Sequence, residues 1–294
     1  MPESIPCLLC GGQRTEAEPR HARFLRFPAG LGLAHCLDCG LRFQSPRLDL
    51  AELGALYARH PYYQASTATR GAARRDFYRK RLDRLERWRP QRGRLLGIAC
   101  LEGGYMFEVA DERGWRVQAV EFAPILADHA RRLGVNVTVA PGWDLSAFQG
   151  ERFDAVLSLS LEHVPSPRKT LRECRALLGD DGVILIDVPN QLYSLKDKIK
   201  ATSRAVLGSR FDRHFFSEVA SEFHMTFFDP HTLRRTLAEE GVEVLELRTY
   251  LPRHPVYLAT PRARWLQDAI YRVGGRFERG PSIEVIARPT RSVH

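Results

Sequence analysis

The chain has 294 residues, 44% hydrophobic and 27% charged, a balance that fits one large globular domain or a main domain with appendages. It excludes disordered, collagen-like and coiled-coil architectures, and apolar runs such as Val183–Ile186 are far too short to cross a bilayer. A net charge of +9 is carried almost wholly by arginine, which suits phosphate or carboxylate partners, although a solvated arginine-rich surface gives the same count.

Met1–Cys10 has neither a basic leader nor a long apolar core, so a cytoplasmic location is expected. The same decapeptide opens a metal-binding pattern. Cys7-Leu-Leu-Cys10-Gly-Gly and Cys36-Leu-Asp-Cys39-Gly are two copies of one turn, in which two thiolates three positions apart precede glycine. Two such turns supply four thiolates, the closed tetrahedral shell of structural zinc. The 25 residues between Cys10 and Cys36 are enough for a small ribbon of strands, so residues 1–45 read as a four-cysteine zinc ribbon.

Residues 46–92 read as a helical linker. Asp49 caps a helix carrying Leu50, Leu53 and Leu56, and Asp76–Trp88 gives a second helix with Phe77, Leu82, Leu85 and Trp88 on its apolar side. The arginines of that helix fit a solvated face with acidic partners better than a phosphate-binding face.

From Arg94 short apolar runs alternate with amphipathic stretches, the pattern of a parallel sheet with crossover helices. Strands are expected at RLLGIAC, WRVQAVEF, VNVTV, FDAVLSLS and Gly182–Val188, and later at VEVLELRTY and SIEVIAR. Helices are expected between them, one with Ser166 as N-cap and Pro167 following. The fold class is therefore α/β: a Rossmann-like, doubly wound, seven-stranded mixed sheet with a small N-terminal ribbon and a helical cap, its main domain covering 93–294. Ligands of such sheets bind beyond the carboxyl ends of the strands. The pattern places there the turn Leu101–Gly104, Glu121, Trp143–Asp144, Ser160–His163 and Pro189–Asn190. An acidic residue about twenty positions past a glycine turn, as Glu121 is, suits a pair of ribose hydroxyls.

The stretches RLLGIACLEGGYMFEVADERGWRVQAVEFAP, FDAVLSLSLEHVPSPRKTLRECRALLGDDGVILIDVPN and FHMTFFDPHTLRRTLAEEGVEVLEL together resemble class I S-adenosylmethionine-dependent methyltransferases. CLDCGLRFQSPRLDLAELGALYARHPYY resembles the zinc-knuckle leader of a bacterial branch acting in sugar, polysaccharide and natural-product pathways. The resemblance implies S-adenosylmethionine as cofactor, beside the zinc. It implies a cofactor site at Gly97, Ala99, Leu101 and Gly103 of the glycine-rich loop, Glu121 at the ribose, Trp143 and Asp144 at the adenine, and Ser160 nearby. It implies catalytic roles for Glu162 and His163 after the fourth strand, and for His224 in the segment closing over the acceptor, an insertion at about 190–228. One departure stands out. The family's loop reads Asp-x-Gly-x-Gly-x-Gly, and the matching positions here are Gly97, Ala99, Leu101 and Gly103, so the acid and two glycines are missing.

Three functions compete on this reading. The first is methyl transfer to a small-molecule acceptor such as a sugar, nucleotide-sugar or biosynthetic intermediate. The second is RNA methylation, with the ribbon and the arginine-rich helix on phosphates; nucleic acid is the less favoured partner because the charge is diffuse. The third is a degenerate fold with lost or altered cofactor binding.

Overall fold

The computed structural model describes residues 4–59, 74–100, 104–207, 223–251 and 264–290. Two of the loop positions singled out above, Leu101 and Gly103, lie outside them, as does 208–222 of the expected insertion. The chain divides into two compact units: Met1–Leu48 with Asp187–Arg235 and Leu247–Glu284, and Asp49–Ile186 with Thr236–Glu246 and Val285–His294.

In the first unit, β1 (Thr15–Ala17), β2 (Leu33–Cys36) and β3 (Arg42–Gln44) form an antiparallel ribbon, with helix α1 (Pro19–Leu25) between the first two strands. A short strand from a distant part of the sequence, β9 (Thr226–Phe227), pairs with β3 through Phe43↔Thr226 and closes a four-stranded sheet. Leu25, Leu33 and Phe227 form its apolar centre. This unit also holds α7 (Leu195–Leu207) and α9 (Arg264–Arg276).

The second unit begins with α2 (Leu50–Arg59), whose start is a reciprocal capping box: Glu52 N–H donates to Asp49 Oδ1 at 2.8 Å, and Asp49 N–H to Glu52 Oε2 at 3.1 Å. Helix α3 (Arg75–Trp88) buries Tyr78, Leu82 and Leu85. Trp88, expected on that apolar side, is 43% exposed, and its indole N–H reaches Glu246 at the helix end. The arginines around α3 are matched by carboxylates: Arg75 meets Glu108 and Glu112, and both Arg92 and Arg113 meet Glu86.

The alternating pattern then runs β4 (Arg94–Ile98), α4 (Tyr105–Glu112), β5 (Arg116–Glu121), α5 (Pro124–Arg132), β6 (Asn136–Val139), β7 (Phe153–Ser158), α6 (Pro167–Leu177) and β8 (Leu178–Pro189). Pro167 opens α6 as expected, although the Ser166 side chain makes no capping bond. The last elements are α8 (Pro230–Glu239), β10 (Val242–Tyr250) and β11 (Ser282–Pro289). The seven-stranded mixed sheet has the order β10-β11-β8-β7-β4-β5-β6. Strands β4, β5, β6, β7 and β8 run parallel. The chain winds one way from β4 to β6 and the other way from β7 to β8, so β4 lies at the topological switch, beside whose strand ends ligands of such sheets bind. Leu95, Phe107, Trp115, Ala127, Leu157 and Val183 pack around it in one core. No helix among the described residues is long and apolar enough to cross a membrane.

Candidate active site and cysteine cluster

Strand β4 ends at Ile98, and the chain turns sharply at Ala99, whose φ of 69° is left-handed. A glycine adopts that conformation freely, whereas a residue with a Cβ gives up about 1–2 kcal/mol. Ala99 therefore keeps the turn that a loop glycine would make, and its N–H is tied to Val120 O at 2.9 Å. Gly97, at the position of the family's loop acid, has no room for any side chain: a Cβ there would stand 2.1 Å from Cζ of the Phe107 ring. Phe107 is fully buried, so an aromatic ring fills the space a carboxylate would need.

Glu121 takes up the loop's backbone instead. It ends β5, is 5% exposed, and accepts Cys100 N–H on Oε2 at 2.6 Å and Ala123 N–H on Oε1 at 2.8 Å. Burial pushes its carboxyl above the usual range, against the lowering pull of the N–H groups of Ala123, Cys100 and Phe122. Each carboxylate oxygen has a second lone pair, so the group can still accept two adjacent hydroxyls.

An aromatic row runs from this point. The rings of Trp143 and Phe122 lie 5.9 Å apart at 33°, and Phe122 meets Tyr57 edge-on at 5.5 Å. Tyr57 comes from α2, where Gly54 brings the helix within reach of the Phe122 ring. Asp144 sits in the same loop as Trp143, but its carboxylate is turned to Ser146 N–H and is held below its ordinary range by Ser146.

Beyond β7, Ser160 O accepts His163 N–H at 2.9 Å and forms a short turn that carries Leu161, Glu162 and His163. His163 Nδ1 lies 2.9 Å from the Tyr57 hydroxyl, and its Nε2 lies 3.5 Å from Glu162 Oε1. An ionised Glu162 favours the proton on Nε2, which leaves Nδ1 to accept from Tyr57. Glu162 Oε2 is buried and meets no hydrogen-bond partner among the described residues, the kind of orphan a bound polar group would satisfy. The second unit thus brings together Glu121, Trp143, Ser160, Glu162 and His163, and adds Tyr57, which sequence reasoning missed. An isolated tyrosine on a helix gives no local signal of its distant partner. His224 belongs to the first unit, where its Nδ1 lies 2.6 Å from Gln191 Oε1.

In the ribbon, Gly11 and Gly40 take left-handed φ values of 70° and 78°, and their N–H groups close the knuckles on Cys7 O and Cys36 O at 2.9 Å. The four thiols of Cys7, Cys10, Cys36 and Cys39 lie within 4.8 Å of one another, with Sγ–Sγ distances of 3.4 Å for Cys7–Cys39 and 3.5 Å for Cys10–Cys36. Four sulfurs about 2.3 Å from one tetrahedral ion stand roughly 3.8 Å apart. The cluster fits a zinc ribbon.

Among curated proteins, the chain is 29% identical over 165 residues to a ubiquinone biosynthesis O-methyltransferase of Xanthomonas axonopodis pv. citri, covering 54% of this chain and 66% of that one. It is 34% identical over 105 residues to the same-named protein of Xanthomonas oryzae pv. oryzae, covering 33% and 44%. The chain therefore spans less than two thirds of the length of these relatives. Among solved structures, it is similar to a chain from the complex of the Haloferax volcanii Trm112 methyltransferase activator with a methyltransferase. That similarity has a TM-score of 0.53 at 14% identity and covers 82% of this chain and 98% of that chain, a likeness of fold. Residues 71–247 match the family described as a methyltransferase domain, and with its class I fold the chain belongs to that family.

Proposed function

We propose that the chain is an S-adenosylmethionine-dependent methyltransferase acting on a hydroxyl of a small molecule. The observation that carries this reading is the chain of groups at the strand ends of one unit, from the buried Glu121 carboxylate along Trp143, Phe122 and Tyr57 to His163. It offers a hydroxyl-pair acceptor, aromatic faces for a purine, and a hydroxyl–imidazole–carboxylate relay. The O-methyltransferase names of the curated relatives support oxygen as the nucleophile.

S-adenosylmethionine supplies a methyl group already activated on a sulfonium, so the protein's part is alignment and removal of one proton. Glu121 would hold the ribose hydroxyls, Trp143 the adenine, and the turn at Ala99 the chain beside the methionine end; Gly97, Leu101 and Gly103 enter by resemblance alone. His163 would take the acceptor's proton at Nδ1. An imidazole is the side chain suited to exchanging a proton with a hydroxyl. Glu162 would hold the proton on Nε2 and stabilise the imidazolium once formed. Tyr57 acts as a positioning residue whose hydroxyl donates to His163 Nδ1 and holds the ring until the acceptor hydroxyl takes its place. His224 enters this reading through the resemblance only. Cys7, Cys10, Cys36 and Cys39 would hold a structural zinc, since four thiolates leave no coordination position for substrate.

Two experiments test the reading. Calorimetry with S-adenosylmethionine and S-adenosylhomocysteine should show binding to the purified chain. Transfer of labelled methyl should then favour phenolic and sugar hydroxyls over RNA, with little dependence on salt. No binding at millimolar cofactor would leave a degenerate fold as the better description.

A further inference from the structure

Helix α9 in the first unit is built the wrong way out for a helix facing water. At about 100° per residue, Gln267, Tyr271 and Gly274 fall on one side, and that side is the buried one, with Gln267 2% and Tyr271 7% exposed. Gly274 lets α7 approach closely, since a Cβ there would lie 3.3 Å from that of Leu195. Away from that side the helix carries Trp265, Leu266 and Val273, and Phe277 follows its last residue; they are 70%, 39%, 48% and 70% exposed. A polar face turned inward and an aromatic one turned outward mark a surface that meets something other than water.

Charge decides what that is. Arg272 and Arg276 lie on either side of Trp265, along one edge of the apolar arc, and Arg279 follows just past the helix, all exposed. None of the three has a carboxylate partner among the described residues, whereas Arg234 and Arg248 are paired with Glu278 and Glu284. We propose that this face of α9 docks on an anionic lipid surface. Trp265, Leu266, Val273 and Phe277 enter the boundary between headgroups and acyl chains, and the three guanidiniums bind lipid phosphates. A second copy of the chain packed on the same face would set arginine against arginine across a twofold axis. A nucleic acid backbone would satisfy the arginines and leave Leu266 and Val273 in water.

The test is co-sedimentation of the full chain with vesicles of phosphatidylglycerol in phosphatidylcholine, against phosphatidylcholine alone. The expected result is pelleting on the anionic vesicles only, weakening as salt rises. Trp265→Ser with Phe277→Ser should lower the bound fraction's affinity by about tenfold or more. Arg272→Gln with Arg276→Gln should lower it by about fivefold per charge. Both pairs lie on the surface and should unfold at the wild-type temperature; if one does not, the other decides. Failure to pellet, equal pelleting on neutral vesicles, retention on single-stranded RNA without vesicle binding, or a dimer in size-exclusion chromatography that Trp265→Ser abolishes would each overturn the proposal.

Discussion

Gly97→Ala adds one methyl group to the middle of β4, and the structure fixes where it goes. Its Cβ would stand 2.1, 2.3 and 2.8 Å from three atoms of the Phe107 ring, against the 3.4–4 Å of ordinary contact. The backbone cannot step aside, because Gly97 is paired with Ala119 of β5 on one side and Leu157 of β7 on the other. The ring cannot either, since Phe107 is fully buried among core residues. Overpacking of this kind costs about 3 kcal/mol, the upper part of its usual range. Phe107→Leu removes the clashing ring at a cost of about 1–2 kcal/mol as a large-to-small change. If the two changes acted independently, the double variant would lose about 4–5 kcal/mol; relief of the clash should hold the loss near 2 kcal/mol, a coupling of about 2–3 kcal/mol. Urea unfolding followed by tryptophan fluorescence measures all three, with Trp115 buried in the same core as a reporter. A Gly97→Ala variant as stable as wild type, or a double variant whose loss equals the sum, would refute the claim that Phe107 occupies the room of the loop acid.

Other expectations follow from the same geometry. Glu121→Gln turns an amide N–H toward the N–H of Cys100 or Ala123, so calorimetric affinity for S-adenosylmethionine should fall at least about tenfold; unchanged affinity would remove Glu121 from the cofactor site. Tyr57→Phe should leave cofactor affinity unchanged and shift the tautomer balance of His163 in nitrogen-15 NMR, an effect that a merely structural tyrosine would not produce. Stripping metal with a strong chelator should lower the unfolding temperature and release one zinc per chain, and Cys36→Ser should do the same; a metal-free chain of equal stability would rule out the structural zinc. Burial pushes Glu86 up, but hydrogen bonds from Arg113, Arg92 and Trp115 outweigh it and hold the carboxyl below its usual range. A lowered folded pKa gives stability that is present above the unfolded value of about 4.3 and is lost as pH falls through the folded one. The urea midpoint should therefore drop in acid, and less steeply in Glu86→Gln.

Much of this was legible in the chain. Alternating apolar runs marked every strand of the large sheet, because a strand buried on both faces needs a continuous apolar run and an amphipathic crossover helix needs a different period. Boundaries moved by a few residues, most at β8, which begins at Leu178 directly after α6 rather than at Gly182. The cysteine spacing identified the ribbon, since thiolates held by one short turn are neighbours in sequence and in space. Trp88 was misplaced because helical period alone does not say how wide a stripe the neighbours cover.

The sequence by itself determined the α/β class, the order of strand and helix, the paired knuckles and the strand ends at which Glu121 and His163 lie. All of these rest on local period and spacing. Only the tertiary structure decided that a ring fills the place of the loop acid, that Glu121 holds the loop's backbone, that Tyr57 reaches His163, and that α9 turns its aromatic side outward. Each of these joins residues far apart in the chain or depends on which helix face the fold covers. That is set by packing, which no local pattern records.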